Sequence, residues 1–245
     1  MKITFKKLMV LFFCFIFIIG VYYIVTIFEE HASKKVVSNV NDIINIEDTE
    51  TALSINKVKE LQNYYGNSDI KAILSIEGID EFNYPVTQST DNDYYLNHDY
   101  YKKYDAYGAI YADYRSDLNN SKKKLIFGHS SSKINVPFNY LENYEDKAFY
   151  EKHKYITLET ETNSYRYEIF SVYVETTDFS YMNMNFDNKG SWYAHIVGMQ
   201  KKSLYQTDVV LDMDDDILIL QTCSKNSSYD DYSKKYLLIV SRRVK

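Results

Sequence analysis

Apolar and polar positions fall into three successive regimes along the chain. Residues 8–28 form a run of 21 residues without a charge. As a helix rising 1.5 Å per residue, that run spans about 30 Å, the depth of a bilayer's hydrocarbon layer. From Glu29 to Gly66 the chain turns polar with scattered Val, Ile and Leu, and the spacing of apolar positions predicts a helix over 51–65. Beyond Gly66, short apolar runs recur between polar turns. They predict strands at 72–76, 84–86, 108–113, 124–128, 155–159, 164–174, 217–222 and 236–240. A capped helical turn is expected over 91–96, short helices over 138–143 and 146–153, and a longer one over 191–204, where Trp192, Ile196 and Met199 recur near helical spacing. Eight strands with a few short helices predict a mainly β fold closing into a mixed barrel.

Charge gives the first regime an orientation. Lys2, Lys6 and Lys7 precede the apolar run, and Glu29, Glu30 and His31 follow it. The positive flank is expected to stay in the cytoplasm, leaving the bulk of the chain outside. No small-x-small cleavage signal follows Phe28, so the segment is expected to be a retained anchor rather than a cleaved signal peptide. The expected organisation is a cytoplasmic N-terminus at 1–7, a transmembrane anchor at 8–28, a spacer with a helix at 29–66 and an extracellular domain at 67–245. The protein is thus expected in the cell membrane as a single-pass chain. A net charge of −6, with no Lys/Arg block beyond Lys122-Lys123-Lys124, argues against a nucleic-acid partner.

The segmentation changes the meaning of the cysteines. Cys14 falls inside the apolar run, so the exported domain holds one thiol, Cys223, and can form no internal disulfide. A lone thiol in an oxidising compartment is a liability unless it is buried or used. Cys223 ends the strand expected at 217–222, and His129 ends the one expected at 124–128. A thiol and an imidazole at two strand ends suit nucleophilic catalysis: the imidazole favours the thiolate, then protonates a leaving amine. Other clusters are bland. Asp212, Asp214, Asp215 and Asp216 lack an EF-hand pattern, and His98, His153 and His195 lack metal-ligand spacing, so neither metal nor cofactor is expected.

An ordered set of segments carries a family resemblance: Asn83-Tyr84-Pro85-Val86, residues 91–96, Gly108 with Asp113-Tyr114-Arg115, Phe127-Gly128-His129, a helix before the seventh strand, and Leu220-Gln221-Thr222-Cys223. Together with the N-terminal apolar run, these resemble the class B sortases, membrane-anchored cysteine transpeptidases of Gram-positive bacteria. The resemblance implies a sortase-like eight-stranded β-barrel preceded by a transmembrane helix. It implies that Cys223, with His129, cleaves the Thr-Gly-type bond of an LPXTG-like sorting signal on a surface protein or pilin and forms a thioacyl enzyme. An amine from a peptidoglycan cross-bridge or a pilin lysine then resolves that intermediate. Thr222 matches the family's Thr before Cys and is expected to shape the substrate groove; Ile219 stands where the signature usually begins with Thr.

One departure concerns the residue expected to stabilise the oxyanion. Sortases place an Arg at the start of the last strand, and this chain has Tyr236 there, after Lys234 and Lys235. Arg242 lies six residues further on, about 20 Å along a strand. Tyr236, Lys235 and Arg115 are the candidate donors in its place. The alternative reading is a catalytically impaired sortase-fold module that serves binding or assembly at the cell surface. A simple cysteine peptidase would differ only in using water to resolve the acyl enzyme.

Overall fold

The structure, a computed structural model, describes residues 56–244 continuously, together with residues 12–24 and the single positions 7, 9, 27 and 41. Residues 12–24 are helical. Among the described residues no helix is long and apolar enough to cross a membrane. The ends of the 8–28 segment, nearly all of the spacer and the beginning of the expected 51–65 helix lie outside the described residues.

Helix α1, Lys57–Tyr65, starts at Asn56, whose side chain accepts the Lys59 N–H at 3.1 Å, and stops at Gly66, which adopts φ +62°. Its buried residues Val58, Leu61 and Tyr65 follow a helical repeat along one face. The eight strands are β1 (Ile70–Ile76), β2 (Asn83–Thr87), β3 (Tyr111–Ala112), β4 (Lys123–Phe127), β5 (Tyr155–Thr160), β6 (Ser164–Glu175), β7 (Ile217–Cys223) and β8 (Tyr236–Arg243). They close into a barrel in the order β1-β2-β3-β4-β7-β8-β6-β5. A 3₁₀ helix, Pro137–Glu145, and α2, Lys147–Lys152, occupy the two stretches expected to be short helices. Helix α3, Lys189–Lys201, opens with a reciprocal capping box between Asn188 and Ser191.

Strand alternation sorts the side chains into two layers. Leu74, Val86, Ile126, Leu158, Leu220 and Ile239 meet inside the barrel. Leu125, Ile219, Leu238 and Val240 point outward, where α1 and α3 cover them with Val58, Leu61, Trp192, Ile196 and Met199. This double burial explains why β7 opens on a continuous apolar run, Ile217 to Leu220, in the sequence.

The third strand is shorter than its sequence suggests. Residues 108–110 bond to neighbouring loops and strand ends: Ala109 donates to the Tyr95 carbonyl at 3.1 Å, and the Ile110 carbonyl accepts from the Thr87 N–H at 2.9 Å.

Candidate active site

Two parallel strands bring the candidate nucleophile and base to the same rim of the barrel. In the β4–β7 ladder Phe127 pairs with Gln221, and the Gly128 N–H donates to the Gln221 carbonyl at 3.1 Å. His129 and Cys223 are each two residues beyond that pair. Neighbouring strands lie about 4.8 Å apart. The Ser130 hydroxyl ties the two ends together by donating to the Cys223 carbonyl at 2.6 Å. On the other side β8 runs antiparallel to β7, with Tyr236 directly opposite Cys223. By alternation Gln221 and Cys223 share the outer face with Leu238 and Tyr236.

Two glycines set the place of His129. A β-carbon at Gly128 would lie 2.6 Å from the Phe138 ring, so only glycine lets the 3₁₀ helix pack this closely behind the histidine. Gly108, at φ +55°, sits where a β-carbon would be 2.1 Å from the Tyr95 carbonyl oxygen and 2.7 Å from that of Leu96. The Leu96 carbonyl in turn accepts a hydrogen bond from Nε2 of His129 at 2.9 Å. A carbonyl only accepts, so the proton resides on Nε2 and Nδ1 is the basic nitrogen. The Tyr107 ring stands edge-on to the imidazole, with centroids 6.3 Å apart.

Beside Cys223 lies a groove of about 290 Å³, bordered by Tyr111, Phe127, Tyr181, Gln221, Lys234 and Tyr236. Tyr181 donates to Oε1 of Gln221 at 2.8 Å, which leaves the Gln221 amide N–H groups for the groove. Its wall is pinned by Lys202, whose ammonium reaches Glu175 at 2.6 Å and Asp178 at 2.8 Å. That ammonium pulls the Asp178 carboxyl down to about 2. Cys223 is exposed at its strand end, yet desolvation by burial pushes its thiol above the ordinary value. Burial, with contributions from Asp93, Asp113 and Cys223, raises the Tyr111 phenol to about 12.

The candidate donors differ in what they already bind. Tyr236 lies in the groove wall with its ring 5.9 Å from that of Phe179, and its hydroxyl makes no hydrogen bond among the described residues. Lys235 turns into the β7–β8 loop, donating to the Asn226 carbonyl at 2.9 Å and to Asp230 at 2.5 Å. Arg115 forks onto Asp113 at 2.7 and 2.8 Å and reaches the Met182 carbonyl at 3.3 Å. Lys234, which the sequence reading passed over for its neighbour, is exposed, borders the groove and has no partner among the described residues. Its parity with Tyr236 was the signal that distinguishes it from Lys235. Gln221 was legible by the same parity with Cys223. Thr222 alternates onto the inner face, 1% exposed. Arg242 pairs opposite Ile217 at the far end of β8 and binds Glu168 at 2.8 Å.

A family profile described as the sortase domain matches residues 74–243. The chain belongs to the sortase family. This sortase is 34% identical over 190 residues to sortase B of Listeria monocytogenes, covering 77% of this chain and 74% of that protein. It is 31% identical over 180 residues to sortase B of Staphylococcus aureus, covering 73% and 72%. It also superposes on the Staphylococcus aureus sortase B–substrate complex with a TM-score of 0.74 at 28% identity, covering 88% of this chain and 96% of that one. The sortase is a class B homologue, a cysteine transpeptidase with the closed eight-stranded barrel that its sequence predicted. Cys223 is the one cysteine within the matched residues.

Proposed function

We propose that Cys223 is the nucleophile of this sortase and that its substrate is an LPXTG-like sorting signal on a surface protein or pilin. The observation carrying this reading is the shared register that brings Cys223 and the His129 strand end to one rim, with Tyr236, which lines the adjacent groove, opposite Cys223. Nδ1 of His129 takes the thiol proton as sulfur attacks the scissile carbonyl. The S–C bond forms, the C–N bond breaks, and the imidazolium returns the proton to the leaving amine. An incoming amine, from a peptidoglycan cross-bridge or a pilin lysine, then attacks the thioester. It loses a proton to His129, which restores the thiol. The Nε2–H bond to Leu96 keeps Nδ1 basic through both halves.

The tetrahedral intermediates require donors at the developing oxyanion. In this reading Tyr236 and Lys234 supply them, because both face the groove with donors not engaged by other groups, whereas Lys235 and Arg115 are held by Asp230 and Asp113. Gln221 presents an amide to the substrate's backbone, and Thr222 supports the groove from the inner side. The apolar segment 8–28 anchors the chain in the membrane, with the catalytic domain extracellular and the N-terminus cytoplasmic.

Mass analysis of the protein incubated with sorting peptides, with and without amine acceptors, tests the reading. A thioacyl adduct on Cys223 that converts to an amide product with the acceptor supports it. Tyr236 in place of an arginine favours a second reading, a binding or assembly module with impaired chemistry. Saturable peptide binding with no thioacyl adduct would establish that reading instead.

A further inference from the structure

A second cavity, of about 680 Å³, opens at the other end of β4. Arg115, Lys122, Lys123 and Lys189 contribute to its wall along with Phe186 and Trp192, and no acidic side chain lines it among the described residues. Its volume is that of a small-molecule site. Lys123 begins β4, and His129 lies two residues past its other end, about 20 Å away at strand rise. The hydrogen bond from Arg115 to the Met182 carbonyl, 3.3 Å, separates this cavity from the Cys223 groove, which Met182 also borders.

The cations here are unequally compensated. Arg115 is forked onto Asp113. Lys189 and Lys122 share Asp214, at 2.5 and 3.9 Å, and Lys122 also donates to the Met213 carbonyl at 2.7 Å. Lys123 has no carboxylate at all. It is 2% exposed, and its ammonium meets the Asn183 carbonyl at 2.8 Å and Nε2 of His195 at 2.9 Å and stands 5.6 Å from the centre of the Phe186 ring. An ammonium has three N–H donors, so one is unassigned beside the cavity. Burial, and then the charge of Arg115, lower Lys123 to about 7, with the Asp113 carboxylate opposing them. Four basic side chains facing two carboxylates leave a surplus of positive charge around an open cavity. The start of α3, with Asn188 and Lys189 in the wall, adds the positive end of a helix dipole.

We propose that this cavity binds a phosphate-bearing ligand, with Lys123 as the inner contact and Lys122 and Lys189 at the mouth. Phosphate fits better than carboxylate because the planar fork suited to a carboxylate, that of Arg115, is already occupied, while lysine ammoniums act as point charges on phosphate oxygens. Phe186 and Trp192 give the organic part of a phosphoester an apolar wall. The inference is independent of the chemistry assigned to Cys223.

Calorimetric titration of the full chain with pyrophosphate and with glucose 1-phosphate, at ionic strength held constant with chloride, tests it. Saturable one-site binding of both probes is expected. The Lys122→Ala/Lys189→Ala pair, at a half-buried and an exposed position, should weaken it by about tenfold or more. Lys123→Met should remove it, with circular dichroism confirming the fold, and Lys234→Ala in the other groove should leave it unchanged. Absence of saturation, or equal affinity in the wild type and the double variant, would overturn the proposal.

Discussion

The two ends of β4 use a histidine in opposite ways. At the rim, His129 is partly exposed, has one fixed hydrogen bond and sits beside an exposed thiol. At the other end His195, a residue of α3, accepts from the Lys123 ammonium and is flanked by Phe186 and Trp192. Burial first, and the Lys123 charge second, hold His195 down to about 4, so it stays neutral with its proton on Nδ1. The comparison teaches that the same strand provides reactivity where polar groups remain incompletely paired, and order where they are locked and desolvated. Substitutions at the rim should therefore change rate with little effect on stability, and substitutions at the buried end the reverse.

The largest break in that contrast is Cys223→Ala. It should lower transpeptidation by more than about 10³-fold while shifting stability by under about 0.5 kcal/mol, as read by product mass and thermal melting. A large loss of stability would show the rim to be structural. Lys123→Ala should do the opposite, costing about 2–4 kcal/mol through a cavity and an undonated Asn183 carbonyl, with activity per folded molecule little changed. Gly108→Ala connects the two classes. Its strained φ and close approach to the Leu96 carbonyl should displace the His129 partner, reducing kcat by roughly 10–100-fold and stability by about 1–2 kcal/mol. Tyr236→Phe and Lys234→Ala should each slow thioacylation by about tenfold, whereas Lys235→Ala should leave it nearly unchanged. Equal rates in all three would remove both donors from the site.

The smallest expected effect is a pH dependence. The folded state resists protonating His195 until about pH 4, whereas the unfolded chain protonates it near the ordinary histidine value of about 6.5. Stability from this group is therefore complete above about pH 6.5 and falls as pH drops toward 4, by about 1–2 kcal/mol after allowance for partial exposure. Melting curves of wild type and His195→Gln should converge at low pH and separate above pH 6.5. A constant difference across that range would place the depressed pKa elsewhere.

Much of the barrel was legible because its strands carry a strong local signal. The doubly buried β7 opens on a continuous apolar run, and β6 is long and rich in aromatic and β-branched residues. The exceptions have local causes too: β3 is two residues long because Gly108 and its neighbours bond to Tyr95 and Thr87 rather than to a full ladder. Cys223 and His129 stood out by residue type and by position at strand ends. Their proximity did not, since it depends on a parallel pairing between strands far apart in sequence.

The sequence by itself determined the strand set, the barrel class, the lone thiol and the unusual tyrosine at the start of β8. Each of these rests on residue type, period or count. Only the tertiary structure decided which cations are free. Lys234 and Lys235 are adjacent and chemically identical, and the strand pairing turns one toward the groove and the other into a loop carboxylate. In the same way Lys122, Lys123 and Lys124 read as one basic run, yet alternation buries the last two on opposite faces of β4, Lys123 against His195 and Lys124 against the Ser121 carbonyl, neither in an ion pair among the described residues. Residue type sets what a side chain can do, and the partners brought by distant strands and helices set what remains available to it.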